Sequence, residues 1–150
     1  MNLTRSQLKN LKFALRKHGV VFAYLFGSQA AGQATKDSDF DFAVMLSNKI
    51  KKSKRFDVRL KLISEISRLL KNDKVEIVVL NDTRSSFFKF VIIKEGKLVF
   101  EKDHSARVDF ELKAMNEYYD FSYFFKINDP VYLEERMKKY SCVPKLNAAR

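Results

Sequence analysis

A chain of 150 residues, 46% hydrophobic and 13% aromatic, can bury a proper core as one domain without cross-links. Its 29 Lys and Arg against 18 Asp and Glu leave a net charge of +11, which favours polyanionic partners: nucleoside triphosphates, RNA or an acidic protein surface. The single cysteine, Cys142, excludes an internal disulfide and a cysteine-built zinc site, and neither a signal-peptide core nor an apolar run of roughly 20 residues is present, so a cytoplasmic, membrane-free protein is expected.

Thr4-Arg5-Ser6-Gln7 reads as a capping box. Leu8, Leu11 and Leu15 then share one helical face, and Gly19 closes the helix. Val20 to Phe26 is apolar throughout, as in a central strand covered on both faces. A glycine turn at Gly27-Ser28 leads to a second strand. There Phe40, Phe42, Val44 and Leu46 take one side, and Asp39, Asp41, Ala43 and Met45 the other.

A basic connector, Asn48 to Arg55, precedes a helix with Phe56, Leu60, Ile63 and Leu70 at helical spacing, ending near Lys71-Asn72-Asp73. Val75 to Leu80 is a β-branched strand on which Glu76 shares a face with Val78 and Leu80. An ionised carboxylate on so apolar a strand is costly unless a cation meets it. Asn81-Asp82-Thr83 can cap a helix from Ser85 to Lys94 that Gly96 stops, and a strand follows at Lys97 to Lys102. From about Ser105 a long helix places Val108, Leu112, Met115 and Tyr119 on one side. Asp129-Pro130 opens a further helix, and Pro144 begins a polar tail. Together these elements make one small α/β (α+β) domain: a mixed β-sheet backed by helices over about 20–102, a helical part over about 103–143, and a tail at 144–150.

The chemistry concentrates between Gly27 and Asp41. Gly27 permits a close approach of backbone to ligand, and the amides after Ser28 can face an anion. Ten residues later, Asp39 and Asp41 project from one strand face, roughly 7 Å apart at the backbone. Two carboxylates at that spacing suit Mg²⁺ shared with substrate phosphates. This order, Gly-Ser, ten residues, Asp-x-Asp, then an acid in a later strand, resembles the polymerase-β nucleotidyltransferase superfamily. More narrowly it resembles the minimal nucleotidyltransferase (MNT) antitoxins of HEPN–MNT toxin–antitoxin pairs.

The resemblance implies a polymerase-β-like fold with C-terminal helices and Mg²⁺-dependent transfer of AMP from ATP to a hydroxyl. Asp39, Asp41 and Glu76 would be catalytic and would hold two metal ions, with Glu76 standing where many members carry Asp. Gly27 and Ser28 would bind the β- and γ-phosphates. The implied acceptor is a tyrosine of a HEPN-family RNase toxin, silenced by the modification. The alternatives are an antitoxin on this fold that neutralises by binding alone, and a nucleotidyltransferase acting on RNA ends or a small molecule.

Other polar residues have plainer readings. Asp37 and Lys36 read as loop residues, and the lysines of Lys49 to Arg55 as a solvated connector or a surface for RNA or an acidic partner. His18 reads as a helix end, and His104 has no partner that the sequence names. The aromatic group Tyr118, Tyr119, Phe121, Tyr123, Phe124 and Phe125 reads first as packing against the sheet, with a docking surface as the alternative.

Overall fold

The computed structural model describes residues 3–35 and 38–128, together with helical positions at Val131, Glu135 and Lys138. The elements run α1 (Arg5–Lys17), β1 (Val20–Phe26), β2 (Phe40–Leu46), α2 (Arg55–Leu70), β3 (Val75–Val79), α3 (Ser86–Glu95), β4 (Lys97–Glu101) and α4 (His104–Asn128). The helix start expected at Asp129-Pro130, the tail, Cys142, Lys36 and Asp37 lie outside the described residues.

The four strands form one mixed sheet in the order β3-β2-β1-β4. β1 is antiparallel to both neighbours, while β2 and β3 are parallel and joined by α2. A parallel pair needs such a crossover, so β2 and β3 start at the same end of the sheet. As its sequence predicts, β1 is central and nearly all buried. One core layer packs Leu11 and Leu15 of α1 and Leu62, Ile66 and Leu70 of α2 beneath Phe42, Val44, Leu46, Val75 and Ile77. On the other face Phe22, Tyr24 and Ala43 meet Ile92 of α3 and Phe110 of α4. The parity of β2 thus holds, with its apolar line and its acid-bearing line on opposite faces.

Helix ends follow local chemistry. Thr4 Oγ1 accepts from the Gln7 amide at 3.1 Å and Gln7 Oε1 accepts from the Thr4 amide at 3.0 Å, which is the predicted capping box. Ser85, rather than the Asn81-Asp82-Thr83 run, caps α3, its hydroxyl accepting from the Phe88 amide at 3.2 Å. Asn81 instead ties off β2, accepting from the Leu46 amide at 2.8 Å and donating to the Leu46 carbonyl at 3.0 Å. At Gly96 a Cβ would sit 2.3 Å from the Ile92 carbonyl oxygen, so only glycine lets the chain leave α3 for β4 on this path.

Two helix faces differ from the sequence expectation. On α2, Phe56 is 60% and Leu60 47% exposed, and the buried line is Leu62, Ile66, Leu70. Val58 joins that line by strict four-residue steps, which keep it over the sheet, whereas Phe56 and Leu60 fall on other faces. On α4, Leu112 and Tyr119 are exposed while Ala114 and Tyr118 are buried. The cause is α3, whose Phe90 ring stacks on Tyr118 at 3.7 Å and whose Phe87 meets both Tyr118 and Phe121 edge-on. Packed against both the sheet and α4, α3 is apolar on most of its surface, which is how a helix covered on two sides reads.

Candidate functional site

The three acids named from the sequence come together. Asp41, near the start of β2, is the register partner of Glu76 on parallel β3, so the two lie side by side. Their shared face is the one toward α3 and α4. Asp39, just before the strand, is exposed; Asp41 is half-buried. Glu76 is also exposed, so the cost of burying it that was expected from its apolar strand does not arise: β3 is an edge strand and its acid reaches solvent.

The electrostatics of the cluster centre on Asp41. Burial, followed by the charges of Glu76 and Asp39, pushes its carboxyl up to about 6. The neighbouring carboxylates of Asp41 and Glu76, with the charge of Asp39 acting on them, offer oxygen donors of the kind that suit a hard divalent ion. Among the described residues no three acidic, histidine or cysteine groups stand close enough to enclose a metal unaided.

The glycine turn touches the acids directly. Gly27 has φ +73°, and a Cβ there would lie 2.6 Å from Asp41 Oδ2. Glycine is favoured by its backbone angle, and its bare Cα leaves the space that the Asp41 carboxylate occupies. The turn winds on helically, with the Ala31 amide donating to the Gly27 carbonyl and the Gln33 amide to the Ser28 carbonyl, both at 3.1 Å. Gln29, buried beside Ser28, is the one buried polar side chain among the described residues and was not singled out by its type or spacing.

A second group missed in the sequence is Asn72, in the turn after α2, where Lys71 takes φ +50°. Its side chain donates to the Ser38 carbonyl at 3.4 Å and accepts from the Lys74 amide at 2.8 Å. The Lys74 carbonyl in turn takes the Phe40 amide at 2.8 Å. Asn72 thus pins the residues on either side of Asp39; an asparagine in a helix-ending turn gave no other signal than turn chemistry.

Other residues are sited elsewhere. His18 meets Glu65 at 2.5 Å and Lys17 lies 3.7 Å from the same carboxylate, tying α1 to α2. The hydrogen bond from His18 is the main cause that holds the Glu65 carboxyl below its ordinary range. His104 pairs with Glu101 at 2.6 Å, far along β4 from the acids. Lys49 to Arg55 follows the far end of β2, so these cations cannot reach a phosphate held at Gly27; Arg55 pairs with Asp82 at 2.7 Å. Of the aromatic group, Tyr118 is core and Phe121 is partly buried against it. Tyr119 and Tyr123 are 56% and 69% exposed.

The sheet, the glycine turn and the acid cluster are those of a nucleotidyltransferase domain. Residues 9–105 match the family described as Polymerase beta, Nucleotidyltransferase, and the chain belongs to it. Among solved structures it is similar to a toxin–antitoxin crystallised with AMP-PNP, at 21% identity and a TM-score of 0.64. It is also similar to an MntA–HepT toxin–antitoxin chain at 20% identity and 0.59. A third similar chain belongs to a complex from Shewanella oneidensis, described as a tri-AMPylated HEPN toxin with its MNT antitoxin, at 18% identity and 0.61. In each case 83% of this chain is aligned with 94% of the other. No protein of curated function matches the sequence at a significant level.

Proposed function

We propose that this chain is an MNT-type antitoxin that transfers AMP from ATP to a tyrosine hydroxyl of a partner HEPN-family RNase toxin and so silences it. The observation that carries this reading is the acid cluster, Asp39, Asp41 and Glu76, packed against the Gly27 turn on a nucleotidyltransferase fold. The similar complexes with AMP-PNP and with an AMPylated toxin support the nucleotide and the protein acceptor.

Asp39, Asp41 and Glu76 would hold Mg²⁺, which when bound braces the triphosphate and offsets charge on the leaving pyrophosphate. Gly27 and Ser28 face their turn amides to the β- and γ-phosphates, where no side chain at Gly27 intrudes. The acceptor oxygen forms a bond to the α-phosphorus as the bond to the β-phosphate bridging oxygen breaks. Glu76, exposed beside Asp41, takes the hydroxyl proton directly or through one water. Asn72 and the Lys74–Phe40 backbone bond hold Asp39 in register during the step.

The test is intact mass of the adjacent-gene partner co-expressed with the wild type and with the Asp39→Asn, Asp41→Asn double variant. The expected result is a partner heavier by one or more adenylyl groups with the wild type alone. An unmodified partner that co-purifies with both versions would replace this reading by neutralisation through binding. An unmodified partner together with co-purifying RNA heavier by adenylyl groups only with the wild type would move the acceptor to RNA ends.

A further inference from the structure

The two edges of the sheet are finished differently. On β3 the guanidinium of Arg59 donates to the Ile77 carbonyl at 2.6 Å, placing a cationic side chain on that strand's backbone. β4 ends the sheet on the other side, and among the described residues no strand pairs with its outer edge. An open edge presents backbone donors and acceptors that another extended chain can take up.

Beside this edge runs a helix of one charge sign. The first acidic residue of the chain is Asp37, so α1 carries none. Arg5, Lys9, Lys12 and Arg16 follow spacings of four, three and four, which aligns them on a single face, and all four are exposed. At 1.5 Å per residue that stripe runs about 16 Å, close to the roughly 17 Å of five-residue β4. Between helix and edge lies a cleft of about 320 Å³ lined by Lys12, Arg16, Leu98, Val99, Phe100 and Glu101. Glu101, the one acid in it, is already engaged by Arg107 at 3.2 Å and His104 at 2.6 Å, which draws its carboxylate toward α4. Leu98 is 41% exposed, and Phe13 on α1 is 68% exposed.

We infer that the α1–β4 cleft docks an extended, acidic segment of the protein acceptor, which adds to the sheet as a strand beside β4. The guest's alternate side chains would be acidic toward Arg5, Lys9, Lys12 and Arg16, with apolar ones between them toward Leu98. A peptide is favoured over RNA because the site offers strand-edge backbone groups as well as charge. α1 covers the sheet face opposite to that of Asp39 and Asp41, so docking leaves the catalytic face free for the tyrosine. The inference rests on the protein acceptor proposed above and assigns where that acceptor is held.

The experiment uses the full chain without ATP, so its failure is separate from failure of AMP transfer. Probes are a fluorescein-labelled ten-residue peptide alternating Glu and Val, its Lys–Val counterpart, and a ten-nucleotide oligouridylate. Expected are binding of the Glu–Val peptide, no binding of the Lys–Val peptide, and slowed amide exchange at Lys97–Glu101 in the complex. Lys12→Glu with Arg16→Glu, and separately Lys9→Glu with Lys12→Glu, should each weaken binding at least tenfold with unchanged circular dichroism. The proposal is overturned if the Glu–Val peptide does not bind, if both charge-reversed variants bind it like the wild type, or if oligouridylate is the preferred ligand.

Discussion

At Asp41 burial and two neighbouring carboxylates raise the folded-state pKa to about 6, above the value of about 4 in an unfolded chain. The proton is therefore held more tightly in the folded state. The stabilisation from this group is complete below about pH 4 and lost as pH rises through 6. In the absence of divalent cations, Asp41→Asn should be more stable than wild type at pH 8 by about 1–2 kcal/mol, after allowance for solvent screening of a half-buried group. That corresponds to a gain of roughly 3–6 °C in thermal midpoint, which shrinks toward zero at pH 4. Melting curves of the two proteins across this range measure it directly; a gap that does not change with pH would contradict the assignment. Gly27 makes a complementary prediction. Gly27→Ala puts a methyl at φ +73° and displaces the Asp41 carboxylate, whose Oδ2 lies 2.6 Å from the Cβ position, so nucleotide affinity by calorimetry should fall at least tenfold.

Among the elements, α3 and α4 are joined by several aromatic contacts, the tightest being the stack of Phe90 on Tyr118 at 3.7 Å with rings 7° from parallel. Phe90→Ala should cost about 3–5 kcal/mol in urea unfolding, whereas Tyr123→Ala, at an exposed position, should change stability by under about 0.5 kcal/mol. The same elements show what a one-dimensional pattern carries. Alternation in β2 separated Asp39 and Asp41 from Phe40, Phe42 and Val44 because a strand has only two faces, and the sheet preserved that division. Capping at Thr4 and closure at Gly19 and Gly96 were legible because each needs only neighbours in sequence. The buried faces of α2 and α4 were not. Apolar residues occupy more than one line on each helix, and the choice belongs to partners far along the chain: the sheet for Leu62 and Ile66, Phe87 and Phe90 for Tyr118. Gln29 and Asn72 stayed hidden for a related reason, since polar residues in turns look alike until something stands beside them. Glu76 was found by its strand, but its exposure follows from the edge position of β3, which no local pattern encodes.

For the molecule as a whole, the two helical layers divide the work: α1 and α2 back the sheet beneath a basic surface, while α3 and α4 flank the face that carries the acids. Charge and site are thereby separated, which is why a net +11 coexists with a crowded group of carboxylates. The strand order also has a consequence for how the chain is made. β1, the most apolar strand, emerges early, yet its second neighbour, β4, begins only at Lys97. At bacterial-like elongation rates, roughly 4 to 14 s separate synthesis of Phe26 from that of Lys97. Throughout this interval one side of the central strand has no partner from its own chain. A ribosome paused within α2 or α3 would hold out a sticky, half-built sheet, so the time of greatest risk for this protein falls before β4 is translated.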